Sequence, residues 1–513
     1  NRLVKNILIE NIFNYNDKFG DFEAGLMLGH SFQKMSTRTS SIDGRGFPSP
    51  VFDTVGTASE IYDASGGLSE FAMESYFGRV NLSYLDRYIL NMTMRTDGSS
   101  RFAPSDRYGY FPSVSLGWNV SKEPFWKFDR TDLKFRLSYG KTGNQDGIGN
   151  YAWQPLMSGG INYGNNSGMA VTSMGNNTLT WETADQYDFG FDLGFWNGKL
   201  NMIADVYLKN TNNLLYSMPL HGTSGFTSVT SNIGSMRNYG VEFSINGHMN
   251  LGKVNWTSSF NISHNKNKLT KLLGDDLLPI GANRALKVGE ELGAFYLFKM
   301  DGIYQYDGEV PQPLYDLGVR AGDVKYHDVD NNGIINDSDR QLVGSSNPDF
   351  FGGWNNTFKY KGFQLDVFFT YMYGNDVYAE WAVTATRPGY RMAITEDAAK
   401  NRWTAPGSSN KYPRAVNTLC GHNSKNSTRF LEDGSFIRLR SLTFSYTFPQ
   451  VMLQKIRMKG LRLYVQGDNL LLFSKYSGWD PEVSKNMDPQ YFGVDLYGVP
   501  PSRSVNFGIN LSF

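Results

Sequence analysis

The chain is poor in what most function classes need. A single cysteine, Cys420, stands among 513 residues, which excludes an internal disulfide and leaves the redox compartment open. The six histidines, at 30, 221, 248, 264, 327 and 422, are scattered and never take the H-E-x-x-H spacing of a zinc hydrolase. A G-x-S-x-G elbow and a phosphate-cradling P-loop are missing too. Neither sign of charge is in excess: 49 Lys and Arg against 49 Asp and Glu give a net charge of zero, so no nucleic-acid partner is implied. No run approaches the roughly 18–20 apolar residues of a transmembrane helix, and the mean hydropathy is −0.41. No linker, low-complexity tract or charge block divides the chain. These absences leave no convincing catalytic constellation, so the protein is expected not to be an enzyme.

Aromatics and glycine are plentiful: 30 Tyr, 35 Phe and 54 Gly. They fall in alternating segments. In "SVNFGINLSF", the last ten residues, Val505, Phe507, Ile509, Leu511 and Phe513 share one face, opposite Asn506, Gly508, Asn510 and Ser512. A period of two is the mark of a strand with one apolar and one polar side. "YDFGFDLGF" (187–195), "LNMIADVYLKN" (200–210) and "GFQLDVFFTYMYG" (362–374) repeat the pattern. A soluble β-sandwich gives the same alternation. Three features favour a membrane barrel instead. The segments run to about ten residues, longer than the usual five or six. Aromatics such as Tyr88, Trp196, Tyr371 and Tyr373 gather at segment ends, like interfacial girdles. Short and long connections also alternate, as turns and outer loops do in such barrels.

The expected strands lie near 2–16, 19–35, 70–85, 87–97, 109–121, 133–141, 185–196, 199–210, 236–250, 254–265, 350–360, 362–372, 434–447, 460–472 and 503–513. Connections after the first, third, fifth, seventh and ninth are short and the others are expected to be long. The apolar piece "LGAFYLFKMDGIYQ" (292–305) would break this parity as a spanning strand, so it is assigned to an outer excursion over roughly 266–349. An odd count of strands, where bacterial single-chain barrels have an even one, creates the expectation that this is the C-terminal part of a longer, processed or truncated protein. On that reading Phe513 lies at the periplasmic side.

With these segments in order, the chain resembles the SusC/RagA-type TonB-dependent outer-membrane transporters of Bacteroidetes. The blocks that carry the resemblance are "YILNMTMRTDGSSRF" with "YGYFPSVSLGW" (88–118), "LKFRLSYGKTGN" (133–144), "LTWETADQYDFGFDLGF" (179–195) and "NIGSMRNYGVEFSI" (232–245). They continue with "GDVKYHDVDNNGIINDSDRQLVGSSNPDFFGG" (322–353), "SFIRLRSLTFSYTFP" (435–449), "LRLYVQGDNLLLFSKYSGWDPEV" (461–483) and the terminal strand. The resemblance implies an all-β fold, a transmembrane antiparallel β-barrel of about 22 strands with a plugged lumen, of which this chain supplies the later ones. It implies import of oligomeric nutrients, glycans or peptides, with a SusD-type lipoprotein as lid and TonB as the source of energy. The family's plug and TonB box match nothing in this chain. The terminal strand resembles the signal read by the barrel-assembly machinery, its apolar face toward outer-membrane lipid. A passive porin or an adhesin is the alternative.

Four groups are candidate functional residues. "DVDNNGIINDSD" (328–339) places Asp328, Asp330 and Asn332 at positions 1, 3 and 5 of a twelve-residue calcium loop, Gly333 at 6, the Ile334 carbonyl at 7 and Asp339 at 12. The expected cofactor is a structural Ca²⁺ in an outer loop. The bland alternative is an Asx-rich turn whose side chains cap their own backbone. Loop aromatics, Trp153, Tyr163, Trp381, Tyr390, Trp403, Trp479, Tyr491 and Tyr497, suit stacking on a sugar or peptide, and equally suit packing on the lid or on one another. Asp188, Asp192, Asp205 and Asp366 face the lumen and are expected to bind neighbours and water. Cys420 and His422 make a weak nucleophile–base pair, and a plain loop thiol explains Cys420 more simply.

Overall fold

The computed structural model describes the chain apart from residues 53, 165, 275–276, 390–391, 417–420, 455–456 and 486–490. Fifteen antiparallel strands are hydrogen-bonded neighbour to neighbour in chain order. They are β1 (Arg2–Phe19), β2 (Phe22–Arg45), β3 (Glu60–Tyr84), β4 (Tyr88–Ser99), β5 (Tyr108–Asn119), β6 (Thr131–Asn144), β7 (Glu182–Phe195) and β8 (Leu200–Pro219). There follow β9 (Ser228–Leu251), β10 (Val254–Leu272), β11 (Phe350–Tyr360), β12 (Phe363–Tyr373), β13 (Phe436–Thr447), β14 (Gly460–Ser474) and β15 (Ser504–Ser512). Each expected strand is present. Among the described residues no helix is long and apolar enough to cross a membrane.

Two expectations are corrected. The strands are not all about ten residues long: β2 has 24 residues and β3 has 25. The added length lies at the ends away from the short turns, where Ser36–Asp43 pair with Asp63–Glu70. Apart from Ile42, Ala64 and Leu68 these residues are polar or glycine, so no apolar alternation announces them. The eleventh connection, expected to be long, is the turn Lys361–Gly362, both at positive φ (46° and 89°), which matches the twist of the flanking strands. The thirteenth spans only residues 448–459 and carries the helix Gln450–Leu453. Both fall after odd-numbered strands, so the alternation of turns and loops runs the full length of the sheet.

By compactness the chain forms two units, residues 1–128, 133–191 and 207–237 in one, and 129–132, 192–206 and 238–513 in the other. In the first, one face of β1–β6 is built in rows. Phe19, Phe22, Tyr84, Tyr88, Trp118 and Phe135 lie directly opposite one another across six strands. Phe22 and Tyr84 stack with ring centres 4.4 Å apart, Tyr84 and Tyr88 at 6.4 Å. The next row is Ala24, Leu82, Leu90, Leu116 and Leu137, followed by Leu26, Val80, Met92 and Val114, then Leu28, Gly78, Met94 and Pro112. This is an aromatic girdle with an apolar band above it. The opposite face carries Arg79, Asn81, Asn91, Thr93, Ser113 and Ser115, as a wetted lumen requires.

In the second unit the excursion between β10 and β11 folds on itself. Residues 292–305 supply the strands Ala294–Phe298 and Met300–Ile303 to small separate sheets and not to the fifteen-stranded one, as expected. Phe298, Tyr304, Val310, Leu314, Val319, Val324, Tyr326 and Ile335 form one buried core. A second core joins Phe295 and Leu297 to Val377, Tyr378, Phe430, Tyr476 and Val494 from later loops.

Candidate functional site

The acidic loop sits between the strand Val324–Tyr326, whose Val324 is fully buried, and the strand Arg340–Ser345. A single 3₁₀ turn, Asp337–Asp339, closes it, capped reciprocally by Asn336 and Asp339. The structure brings Asp328, Asp330 and Asp339 together: one oxygen from each lies within 4.8 Å of the others. Asp339 is wholly buried, and its two oxygens accept from the Val329 and Asn336 amides at 2.9 and 2.8 Å. Asp328 accepts from the Gly333 amide at 2.7 Å and from Asn332 at 3.2 Å. Asp330 accepts from the Asn332 amide at 3.1 Å and from its side-chain nitrogen at 2.8 Å. The Asn332 side-chain oxygen takes the Ile334 amide at 2.7 Å.

The loop is therefore an Asx-turn nest, and its three carboxylates still converge. Burial raises the Asp328 pKa, but the Gly333 amide and further hydrogen bonds outweigh it and hold the carboxyl below its ordinary value. Each carboxylate oxygen has a lone pair beyond its amide contact, so the nest and a bound cation are compatible. Gly333 has φ +76°, which supplies the sharp turn expected of position 6. Ile334 is exposed.

The loop aromatics divide. Trp381 donates to the Tyr476 hydroxyl at 3.1 Å, and Tyr491 packs against the same core. Trp403 donates to Gln305 at 3.1 Å. These rings are committed to holding loops. Trp153 is half-buried, Tyr163 and Trp479 stand open to solvent, and Tyr497 is open while hydrogen-bonded to Thr384 at 2.7 Å. Tyr390 and Cys420 lie outside the described residues. His422 is buried and donates to the Val324 carbonyl at 2.8 Å, with burial pushing its pKa down. Asp366 accepts from Thr357 and Gln364, as expected of a lumen carboxylate bound to its neighbours.

Sequence reasoning missed two ionic fasteners. Asp323 accepts two bonds from Arg414, both 2.9 Å, and one from Asn423 at 2.8 Å. Arg438, buried on β13, reaches Asp480 at 2.5 Å and Glu482 at 3.0 Å, and Arg440 takes both oxygens of Glu482 at 2.8 Å. The signal available for the second was the pair of arginines in "FIRLR" together with the carboxylates of "WDPEV". Nothing local relates them.

A family model described as "TonB dependent receptor-like, beta-barrel" matches residues 5–470. TonB-dependent receptor P3 of Formosa agariphila is 33% identical over 536 aligned positions, covering 100% of this chain and 53% of the relative. TonB-dependent receptor SusC of Bacteroides thetaiotaomicron is 31% identical over 470 positions, covering 86% of this chain and 43% of the relative. The chain thus spans about half the length of the curated relatives it matches. Among solved structures, the RagAB peptide transporter superposes with a TM-score of 0.87 at 25% identity, covering 100% of this chain and 56% of that one.

Proposed function

The chain belongs to the TonB-dependent receptor-like β-barrel family of the bacterial outer membrane, in its SusC/RagA type, and on that footing we propose that the intact protein imports oligomeric nutrients, glycans or peptides. A SusD-type surface lipoprotein is the proposed lid, and TonB the proposed source of energy. The observation that supports this reading most is the fifteen-strand order, over a chain whose whole length superposes on a peptide transporter. Open rings at Tyr163 and Trp479 offer stacking surfaces to a ligand. The test is uptake of a labelled oligosaccharide or peptide recovered with the native complex. Import that stops when the proton-motive force is collapsed is the expected result. Import that continues unchanged means a passive barrel.

The acidic loop is proposed to hold Ca²⁺ through Asp328, Asp330, Asn332, the Ile334 carbonyl and Asp339. Support comes from three carboxylates converging within 4.8 Å, since like charges so close repel unless a cation or protons intervene. All-oxygen donors suit Ca²⁺ better than a transition metal. The ion would fix the long excursion in one conformation. Calorimetric titration of the chelator-treated protein should show one site, lost in Asp330→Ala. Equal heats for the two proteins would leave the Asx-turn nest as the whole account.

A further inference from the structure

Above the apolar band, the outward face of β1–β5 changes chemistry in three steps. The row Asn11, His30, Tyr76, Thr96 and Tyr110 comes first, then Ile9, Phe32, Glu74, Gly98 and Tyr108. Glu74 there accepts from the Tyr76 hydroxyl at 2.9 Å and the Tyr108 hydroxyl at 3.3 Å, and lies 3.3 Å from His30 Nε2. From the lower aromatic row to this level is ten residues of β2, roughly 33 Å along a strand and roughly 25 Å of membrane depth at the usual tilt. These rows therefore mark the outer edge of the hydrocarbon.

Immediately beyond that edge the same face is basic. Lys5 lies opposite Ser36, with Lys34 two residues to one side of it and Arg38 two residues to the other. All three side chains are exposed. Among the described residues of β1–β3, the carboxylate on this face beyond Glu74 is Glu70, 3.4 Å from Lys34. Lys5 and Arg38 have no carboxylate partner among the described residues. Lys34 and Arg38 are separated by roughly 13 Å of strand, comparable to the length of a disaccharide. Below them come Ile7, Ile9 and Phe32, then the polar row of Asn11, His30 and Tyr76, and beneath that the apolar Phe13, Leu28 and Leu26, with the Leu28 side chain covering Gly78.

We propose that Lys5, Lys34 and Arg38 form a binding site for a phosphorylated glycolipid of the outer leaflet, its phosphates on the cations and its acyl chains on the apolar Phe13–Leu28–Leu26 band below the His30 row. Three observations coincide to select this occupant. The cations sit at headgroup height, they face out of the sheet and away from its polar side, and the apolar track of Phe13, Leu28 and Leu26 begins beneath them, below the His30 row. A soluble anion would use the cations alone. A neutral lipid would use the track alone. The His30–Glu74–Tyr76–Tyr108 group lies between the two, where sugar hydroxyls need donors and acceptors.

The experiment measures binding of diphosphoryl lipid A, its dephosphorylated form and phosphatidylglycerol to the intact protein in nanodiscs, by native mass spectrometry. Diphosphoryl lipid A should be retained at least about tenfold better than the dephosphorylated form, because each surface Lys or Arg contributes roughly fivefold toward an anionic headgroup. Lys5→Gln/Lys34→Gln/Arg38→Gln should abolish that preference, and Arg79→Gln on the opposite face should leave it intact. Heat-modifiable migration checks assembly, and if the triple variant fails it, Arg38→Gln alone should lose about fivefold. Equal retention of the two lipid A forms, or equal retention of phosphatidylglycerol, would overturn the proposal. So would a folded triple variant that binds like the parent.

Discussion

Leu28 and Leu297 are the same residue in opposite surroundings. Leu28, in the strand wall, is 51% exposed and Leu297, in the excursion between β10 and β11, is wholly buried. Their neighbours differ in the same way. Ile7, Phe13 and Met94 in the wall present their side chains outward, while Phe295, Val324 and Tyr378 in the loops are enclosed. The wall is finished by lipid, so its apolar residues are stabilised by a solvent that the chain does not supply. The loops are finished by themselves, with a close-packed core of the kind a soluble domain has. Hydrophobicity alone thus says nothing of where a residue lies in this protein. The period in which it recurs does.

The contrast is broken most severely in the loops. Phe295→Ala should cost about 3–5 kcal/mol of local stability, seen as faster hydrogen exchange across Ala294–Phe298 and the strand Asp376–Ala379 with wall strands unchanged. Asp480→Ala, which leaves the buried Arg438 guanidinium only the part-exposed Glu482, should cost somewhat less, about 2–3 kcal/mol, read as proteolysis of the connection between β14 and β15. The double variant Arg438→Met/Asp480→Leu should recover most of it. In the wall, polarity matters more than volume. Leu28→Arg should cost about 2–4 kcal/mol of barrel stability in bilayers, whereas Leu28→Ala should stay within about 1 kcal/mol, because lipid fills the space.

Acid sharpens the same comparison. Burial holds the His422 pKa below its ordinary value, so the unfolded loop binds a proton more readily than the folded one. That contribution is complete above the unfolded value, near 6.5, and is lost as pH falls from there toward the folded pKa. Protection of Val324 and its neighbours, relative to the intrinsic exchange rate at each pH, should therefore fall as pH is lowered below about 6.5, ahead of any change in the wall strands, and His422→Gln should flatten this dependence. Unchanged protection of the loop in that range would mean that His422 is not the titrating group.

The wall was legible because its signal is local. Alternation in "YDFGFDLGF" or "SVNFGINLSF" requires only that neighbours along the chain face opposite ways, and the placement of 292–305 in an outer excursion followed from the parity of turns. The acidic loop was legible for the same reason, since its three carboxylates, now within 4.8 Å of one another, lie in one stretch of twelve residues. The outer reaches of β2 and β3 were not. Their few apolar residues, Ile42, Ala64 and Leu68, do not alternate, and these stretches are strands only because Ser36–Asp43 find Asp63–Glu70 across the hairpin.

What the sequence by itself determined, then, was the period, the facing of each strand and the order of turns and loops as far as β11. What tertiary structure decided was which loops close on which. Arg414 meets Asp323 across 91 residues and Arg438 meets Asp480 across 42, and burial beside them turns Trp381, Trp403 and Tyr491 from ligand candidates into struts. The physical reason is that alternation is imposed residue by residue by the pleat. A buried ion pair or ring contact exists only once distant segments have excluded water between them.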